Sequence, residues 1–287
     1  FKGPRAKQDR ARLLLHRLFE NRLQVEPARI AELIKPHVSE YLRLTNTPPA
    51  EHERVRGEFV TQWPFATHLM RLLEDQVLLA TSAQETRDLI KVLADLFKRR
   101  PDDTAIITAA SFNLEDDDSG VNSLLDSVSN NYQVSLRQKA LRNLDAVRDA
   151  VPDAERKLPH LRGLMGALWL RSLADVNRGG ANRETLHADI TNDQAVDDNR
   201  FEVELNTTVE NSFNIHEVGD RFVFKEEENP TAKLIASAKN DRLFTDGQDT
   251  DRLAREVRYV LAGSGDVSAR HRVIVLPPQW QTDPWAK

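Results

Sequence analysis

The fold is decided by residues 158–227, which read LPHLRGLMGALWLRSLADV at 158–176, NRETLHADIT at 182–191, FEVELNTTVENS at 201–212, NIHEV at 214–218 and RFVFKEE at 221–227. The first three stretches have helical character, and the last two alternate apolar and polar residues, which is typical of strands. Gly219-Asp220 predicts a tight hairpin turn between the strands. Helix, short helix, helix and two-stranded wing is the order of the winged-helix arrangement, a form of the helix-turn-helix motif.

The third helix of this module, which would be its recognition helix, has an acidic sequence. It carries Glu202, Glu204 and Glu210 against Arg200 alone, and the wing ends in three glutamates at 226–228. Carboxylates are repelled by a phosphate lattice, so the sequence favours protein contact over DNA contact for this module. We expect the buried face of the helix to be formed by Phe201, Leu205, Val209 and, as a further candidate, Val203.

The chain on both sides of the module also reads as helix. The predicted helices before it cover residues 8–23 (with Leu14, Leu15, Leu18, Phe19 and Leu23 inward), 27–44 with a kink or a break at Pro36, 63–79, 83–100 and 133–150. Ser82 and Glu85 have capping-box spacing, and Pro101 stops the helix that they begin. Two further helices follow the wing, and VIVLPP at 273–278 is a candidate strand.

These patterns predict a mainly α protein with a small β-hairpin wing. We expect a helical, lid-like domain over residues 1–157, a winged-helix domain with trailing helices over 158–262, and the start of a further domain or a tail over 263–287.

Composition is that of a folded cytoplasmic chain. Of 287 residues, 40% are hydrophobic and 30% charged, and no apolar run is long enough to cross a bilayer. The absence of cysteine excludes disulfides and thiolate zinc sites, and a reducing cytoplasm is the natural compartment. The first residues, FKGPRAKQDR, contain neither an initiator Met nor a signal-peptide core, so we expect a piece of a longer polypeptide.

Charge is unevenly distributed along the chain. Residues 1–100 hold 18 Lys/Arg against 13 Asp/Glu, a balance of +5, which leaves 22 against 32, or −10, for residues 101–287. Nucleic acid or an acidic partner is therefore expected at the basic start, whose candidate contact residues are Arg5, Lys7, Arg10, Arg12 and Arg17. The alternatives are a solvated face, or a face packed on another domain.

No complete catalytic motif is present. The eight His lack H-E-x-x-H spacing, AGSGD at 262–266 lacks the nucleophile-elbow spacing, and the acidic string at 116–119 lacks the ligand pattern of an EF-hand. The phosphate-binding string G-x-x-x-x-G-K-[ST] is also missing. The sequence therefore predicts no catalytic residue, no metal site and no cofactor of this chain's own.

Three stretches resemble the large P-loop ATPases of BREX-type phage-defence systems. HRLFE at 16–20 resembles an early helix of that family that ends in Arg-Leu-Phe, and Trp63-Pro64-Phe65 resembles its Tyr-Pro-Phe-His, with the aromatic changed and Ala66 in place of His. RFVFKEEENP at 221–230 resembles its wing, with Asn229 in the expected place. The resemblance spans about residues 10–240 and implies an AAA+-like architecture, with ATP and magnesium bound by the parent protein.

The resemblance also suggests a role for one residue of the lid. An Arg near the start of an AAA+ lid helix often reaches the γ-phosphate, and Arg87 stands in a comparable place. A guanidinium is always charged and can neutralise phosphoryl oxygens. The alternative is an ordinary helix Arg paired with Asp88 or Glu85.

Two functions follow from these readings. In the first, the chain is the non-catalytic lid and winged-helix part of a defence-associated ATPase, and it couples ATP state to partner or DNA contacts. Its partners would be the upstream nucleotide-binding domain of the same protein and other defence-system proteins, with DNA a further candidate and no membrane. This reading predicts an exposed apolar strip near Leu14, Leu18 and Trp63. The alternative is a self-contained winged-helix DNA-binding regulator or adaptor.

Overall fold

The computed structural model describes residues 4–74, 85–128, 131–173 and 179–238, together with residues 253, 256, 257 and 260. Contacts divide the chain into a compact unit of residues 1–232 and a second unit of residues 233–287. The predicted boundary between residues 157 and 158 lies inside the first unit. The predicted strand at 273–278 and the whole of 263–287 lie outside the described residues, as do Ser82 and most of the last predicted helix.

The chain is mainly helical with one small antiparallel sheet, as the sequence predicts. The helices are α1 (Pro4–Leu18), α2 (Pro27–Leu33), α3 (Lys35–Leu44), α4 (His52–Gln62), α5 (Thr67–Leu72), α6 (Glu85–Arg99), α7 (Asn122–Val128), α8 (Asn131–Ala150), α9 (Ala154–Lys157), α10 (Leu161–Ser172), α11 (Arg183–Ile190), α12 (Asp198–Glu210) and α13 (Pro230–Ala238). The strands are β1 (Ile215–Val218) and β2 (Arg221–Phe224). In the part of the chain that is described, no helix is long and apolar enough to cross a membrane.

Proline sets the limits of the early helices. Pro27 occupies the first turn of α2, and Pro36 occupies the first turn of α3, where its missing N–H costs nothing. The predicted kink or break is thus a break at Ile34. The helix predicted over 8–23 ends instead at Leu18, and a 3₁₀ turn over Arg22–Gln24 follows it. Leu23 points outward and is 80% exposed, so its predicted inward position was wrong.

The segment after α4 is anchored to a buried loop. A cis peptide joins Trp63 to Pro64, and Phe65 pairs with Ile107 in an isolated parallel bridge. The indole N–H of Trp63 donates to the carbonyl of Ala105 at 3.0 Å. The apolar residues around Ile107 are therefore apolar because they lie in the core. They do not belong to a regular strand.

Residues 161–224, from α10 to β2, have the predicted order of elements and are called the wing module below. Strands β1 and β2 pair antiparallel with Ile215 opposite Phe224, and Gly219 turns the hairpin with a φ of 66°. Ala181, between α10 and α11, pairs antiparallel with Phe222 and adds a third point to the sheet. Gly180 precedes it with a φ of 83°, where a Cβ would collide with the backbone of Phe222.

One hydrophobic core extends from α1 to the wing. Its members include Leu14 and Phe59 from the early helices, Trp169 from α10 and Phe224 from β2, each at most 1% exposed. Leu14 therefore cannot belong to the exposed apolar strip that the sequence suggested. Leu18 and Trp63 are only half-buried and pack against this core.

Candidate functional site

A cluster of buried charged and aromatic-ring side chains connects the early helices to the wing module. Arg171 of α10 donates to both carboxylate oxygens of Asp189 of α11, through Nε at 2.6 Å and Nη2 at 2.9 Å. His68 of α5 brings its Nε2 to 3.0 Å from Oδ1 of the same carboxylate. Burial alone would raise the pKa of Asp189, but Arg171 and His68 hold it at about 2. Asp189 is therefore an anion locked between two elements.

A second buried histidine completes this cluster. His37 of α3 is fully buried, and its Nδ1 donates to the carbonyl of Thr191 at 2.6 Å, which leaves Nε2 as the unprotonated nitrogen. That Nε2 has no hydrogen-bond partner among the described residues. The ring stacks on His68 with a centroid separation of 5.5 Å. Desolvation and the neighbouring His68 lower the pKa of His37 to about 3, so it is neutral.

The wing is attached directly next to this cluster. The amide of Phe224 in β2 donates to Oγ of Ser172 at 2.9 Å, and the amide of Gly180 donates to the carbonyl of Arg171 at 2.9 Å. Arg171 and Ser172 are adjacent at the end of α10. A continuous set of polar contacts thus joins α5 to β2 through Asp189. The His68–Asp189 contact is a close approach outside hydrogen-bond geometry, and hydrogen bonds make the remaining links.

A separate group of ionisable residues lies where α3 meets α11 and α12. Glu40, His187 and Asp198 bring potential ligand atoms within 4.8 Å of one another. The guanidinium of Arg43, however, donates to Glu40 and also to Asp198, the latter through Nη1 at 3.1 Å and Nη2 at 2.5 Å. His187 donates its Nε2 proton to the carbonyl of Val196. Arg43 thus shares its single positive charge between the two carboxylates, and the group forms an ion-pair cluster.

The acidic third helix presents less charge than its sequence suggests. Glu204 is 0% exposed and accepts from the backbone N–H of His160, while His160 Nδ1 lies 3.0 Å from its other oxygen. Glu204 therefore faces the core, and counting it against DNA binding was wrong. Val203 is 63% exposed and faces outward, contrary to its candidate core position. Phe201 and Leu205 are buried and Val209 is half-buried, as predicted.

The sequence-predicted contact residues are distributed as follows. Arg12 and Arg17 are exposed on α1, whereas the side chains of Arg5, Lys7 and Arg10 lie outside the described residues. Arg87 is exposed in the first turn of α6, and within the described ranges it has no hydrogen bond or ion pair. Of its suggested partners, Asp88 is buried, and the side chain of Glu85 lies outside the described residues.

Arg22 is a cation that sequence reasoning missed. It donates to the carbonyls of Val60, Thr61 and Trp63 at the carboxyl end of α4, at 3.0, 2.5 and 2.6 Å. These are the carbonyls that a helix end leaves without partners, and the positive charge also suits the helix dipole there. Desolvation lowers the pKa of Arg22.

The buried Arg171–Asp189 pair was also missed, although the sequence carries a signal for it. Arg171 is a lone cation in the apolar run GLMGALWLR at 163–171, and buried charges are rare unless paired. The identity of the partner depends on tertiary contact and could not be read from spacing.

Comparison of the chain with protein-family models, with curated proteins and with solved structures gives no match.

Proposed function

We propose that the chain is the lid and winged-helix part of a larger BREX-type phage-defence ATPase and performs no catalysis itself. It would couple the nucleotide state of an upstream nucleotide-binding domain, which holds ATP and magnesium, to contacts with defence-system proteins or DNA in the cytoplasm. The observation that carries this proposal is the buried Arg171–Asp189–His68 cluster. It ties α5, which follows the family-like Trp63-Pro64-Phe65 segment, to the wing module.

The cluster supports coupling because buried ion pairs tolerate little displacement. Separating Arg171 from Asp189 would leave two charges without partners in a low-dielectric interior, at a cost of about 3–5 kcal/mol. A movement of α11 is therefore transmitted to α10 more cheaply than it is absorbed between them, and α5 contacts this pair through His68, whose Nε2 lies 3.0 Å from Asp189. The wing follows through Ser172 and Phe224.

The winged-helix identity is supported by the order of elements and by one pairing. Helices α10, α11 and α12 precede the β1–β2 hairpin, and Ala181 joins β2 at Phe222. This pairing adds a short third segment to the two-stranded sheet. This same feature favours the second candidate function, a self-contained winged-helix DNA-binding regulator.

The charge of the module weighs against that second candidate. Without the buried Asp189 and Glu204, residues 179–229 hold 11 Asp/Glu and 4 Lys/Arg, a balance of −7. Three of the four cations are engaged: Arg183 with Glu202, Arg200 with Glu204, and Arg221 with the carbonyl of Gly180. The module therefore offers few free cations that could neutralise DNA phosphates and release their counterions.

Two assays on the 287-residue chain separate the candidates. We expect no ATP turnover by this chain, and turnover by a longer product of the same gene that includes the upstream nucleotide-binding domain. Duplex binding is measured by fluorescence anisotropy between about 50 and about 200 mM salt. Turnover by the short chain would contradict the first proposal, and tight, salt-sensitive duplex binding by it would favour the regulator.

The nucleotide-sensing role of Arg87 and the coupling role of Asp189 are tested in the longer protein. Arg87→Ala should lower turnover about tenfold or more, while Lys91→Ala, at an exposed site one turn further along α6, should leave it unchanged. Hydrogen exchange of the wing should respond to an ATP analogue, and Asp189→Asn should abolish that response without abolishing nucleotide binding. Glu115→Gln, in the peripheral Arg148 ion pair, is the matched control and should preserve it.

A further inference from the structure

An apolar groove opens beside the basic helix α1. It has a volume of about 480 Å³ and lies between α1, the 3₁₀ turn at Arg22–Gln24, α2 and α4. Its apolar lining includes Leu15, Phe19, Leu23 and Val60. Leu23 is 80% exposed, so a side chain placed in the groove would cover apolar surface that water now contacts. The volume suits one or two apolar side chains.

The groove is lined by two arginines, Arg12 and Arg22, and by one carboxylate, that of Glu20. Arg22 is half-buried, and its partners are the three carbonyls at the end of α4; no carboxylate lies within ion-pair distance of it in the described ranges. Arg12 is exposed beside the groove and likewise has no ion pair with a described residue, although Glu20 also lines the groove. A partly desolvated guanidinium gains more from an incoming carboxylate than a fully hydrated one does. The groove therefore suits an apolar residue flanked by acidic residues.

The tip of the wing has this composition. Glu217, Val218, Gly219 and Asp220 are all exposed, with Val218 50% exposed, and nothing lies within 4 Å of a Cβ built on Gly219. Neither Glu217 nor Asp220 forms an ion pair with any residue that the structure describes. The tip thus presents one exposed apolar side chain and two exposed carboxylates on a narrow two-stranded support. Arg221, opposite Val218 across the hairpin, donates to the carbonyl of Gly180.

We propose that the wing tip of one copy of this chain docks in the groove of a second copy. Val218 covers the apolar lining, while Asp220 faces Arg12 and Arg22. Because each copy carries both surfaces, the association is head to tail and produces a ring or an open chain of copies. The contact is small, so it is weak and dynamic. This self-association is independent of the function proposed above and does not require nucleotide.

The test measures association of the 287-residue chain by sedimentation velocity. We expect species heavier than the 32.7 kDa monomer to grow between about 5 and about 300 µM, and to weaken several-fold from about 50 to about 300 mM salt. The groove variant Arg12→Glu/Leu23→Ser should raise the dissociation constant about tenfold or more. Arg17→Glu/Leu13→Ser is the matched control, because both residues are exposed but neither lines the groove.

The tip variant Val218→Ser/Asp220→Lys should have the same effect as the groove variant. Its matched control, Val203→Ser/Asp193→Lys, removes a valine that is slightly more exposed than Val218 and an exposed aspartate elsewhere in the module, and it should change nothing. All eight substituted positions are exposed, and thermal unfolding checks that each variant is folded.

Mixing the groove variant with the tip variant gives the decisive result. Each variant keeps one intact surface, so the mixture should form a one-to-one pair of twice the monomer mass, although neither variant associates alone. A wild-type chain that stays monomeric over the whole concentration range overturns the proposal. So does association that survives both variants, association that the Val203 control abolishes, or a mixture that contains only monomers.

Discussion

Moderate acid should destabilise the protein through His37. The ordinary pKa of a histidine is 6.5, and burial together with His68 lowers the pKa of His37 in the folded state to about 3. Between those values the unfolded chain binds a proton that the folded chain excludes. The contribution of the neutral ring is therefore complete above pH 6.5 and is lost as the pH falls toward 3.

The size of this destabilisation depends on how far the pH lies below 6.5, the pKa of the unfolded histidine. At pH 5 the unfolded histidine is about one and a half pH units below its pKa, and at about 1.36 kcal/mol per unit the free energy of unfolding should fall by about 2 kcal/mol. Asp189 does not contribute to the pH dependence between pH 6.5 and 5. Its pKa is lowered to about 2 from 3.8, so its contribution is complete above pH 3.8 and is lost only as the pH falls through 2.

The assay is urea unfolding at about pH 7.5, 6 and 5, with the free energy extrapolated linearly to water. His37→Asn keeps an N–H donor for the carbonyl of Thr191 but removes the titrating nitrogen. It should lower the free energy of unfolding at neutral pH, and it should reduce by about 2 kcal/mol the amount of this free energy that is lost between pH 7.5 and 5. Val38→Ala, the neighbouring buried residue, should lower stability without flattening that loss. The reasoning is refuted if His37→Asn keeps the full wild-type pH dependence.

Three further predictions concern the stability of the fold. Asp189→Asn should lower the free energy of unfolding, measured in urea, by about 3–5 kcal/mol because Arg171 stays buried without its counter-ion. Arg171→Met/Asp189→Leu should recover most of that loss, and a double variant as unstable as the single one would contradict this. Gly166→Ala should cost about 1–3 kcal/mol because its Cβ would meet the carbonyl of Phe112, whereas Gly57→Ala, with open space at its Cβ, should be neutral or stabilise by up to about 1 kcal/mol. Asn143→Ala should speed hydrogen exchange at Phe213 and Asn214, whose amides donate to the Asn143 side chain. Unchanged exchange would show that these two hydrogen bonds do not hold the start of the hairpin in place.

The elements that the sequence predicted are those whose signals are local. The hairpin could be predicted because Gly219-Asp220 lies between two alternating runs, and the break between α2 and α3 because Pro36 cannot donate a backbone hydrogen bond. Helix α12 could be placed from the spacing of Phe201 and Leu205. In each case a few neighbouring residues determine the backbone.

The features that the sequence did not predict depend on contacts between distant residues. Glu204 looks like a surface carboxylate on its helix, but His160, 44 residues earlier, offers it a backbone N–H and a ring nitrogen. Leu23 fits a helical stripe, yet the chain turns after Leu18 and leaves it outside. The partner of Arg171 lies 18 residues further along, beyond a loop. Periodicity carries no information on such pairings.

The charge of the wing module changes what its fold can be used for. The winged helix that we propose would usually suggest duplex binding, but residues 179–229 have a balance of −7 without the buried Asp189 and Glu204. Electrostatic repulsion therefore makes the approach of this module to DNA unfavourable, most strongly at low ionic strength. The exposed acids of the wing tip are instead complementary to the basic side of α1. Since salt weakens both kinds of contact, ionic strength alone does not distinguish them. Reversing the sign of Asp220 does: Asp220→Lys should strengthen any DNA contact made by the wing and weaken its contact with the groove.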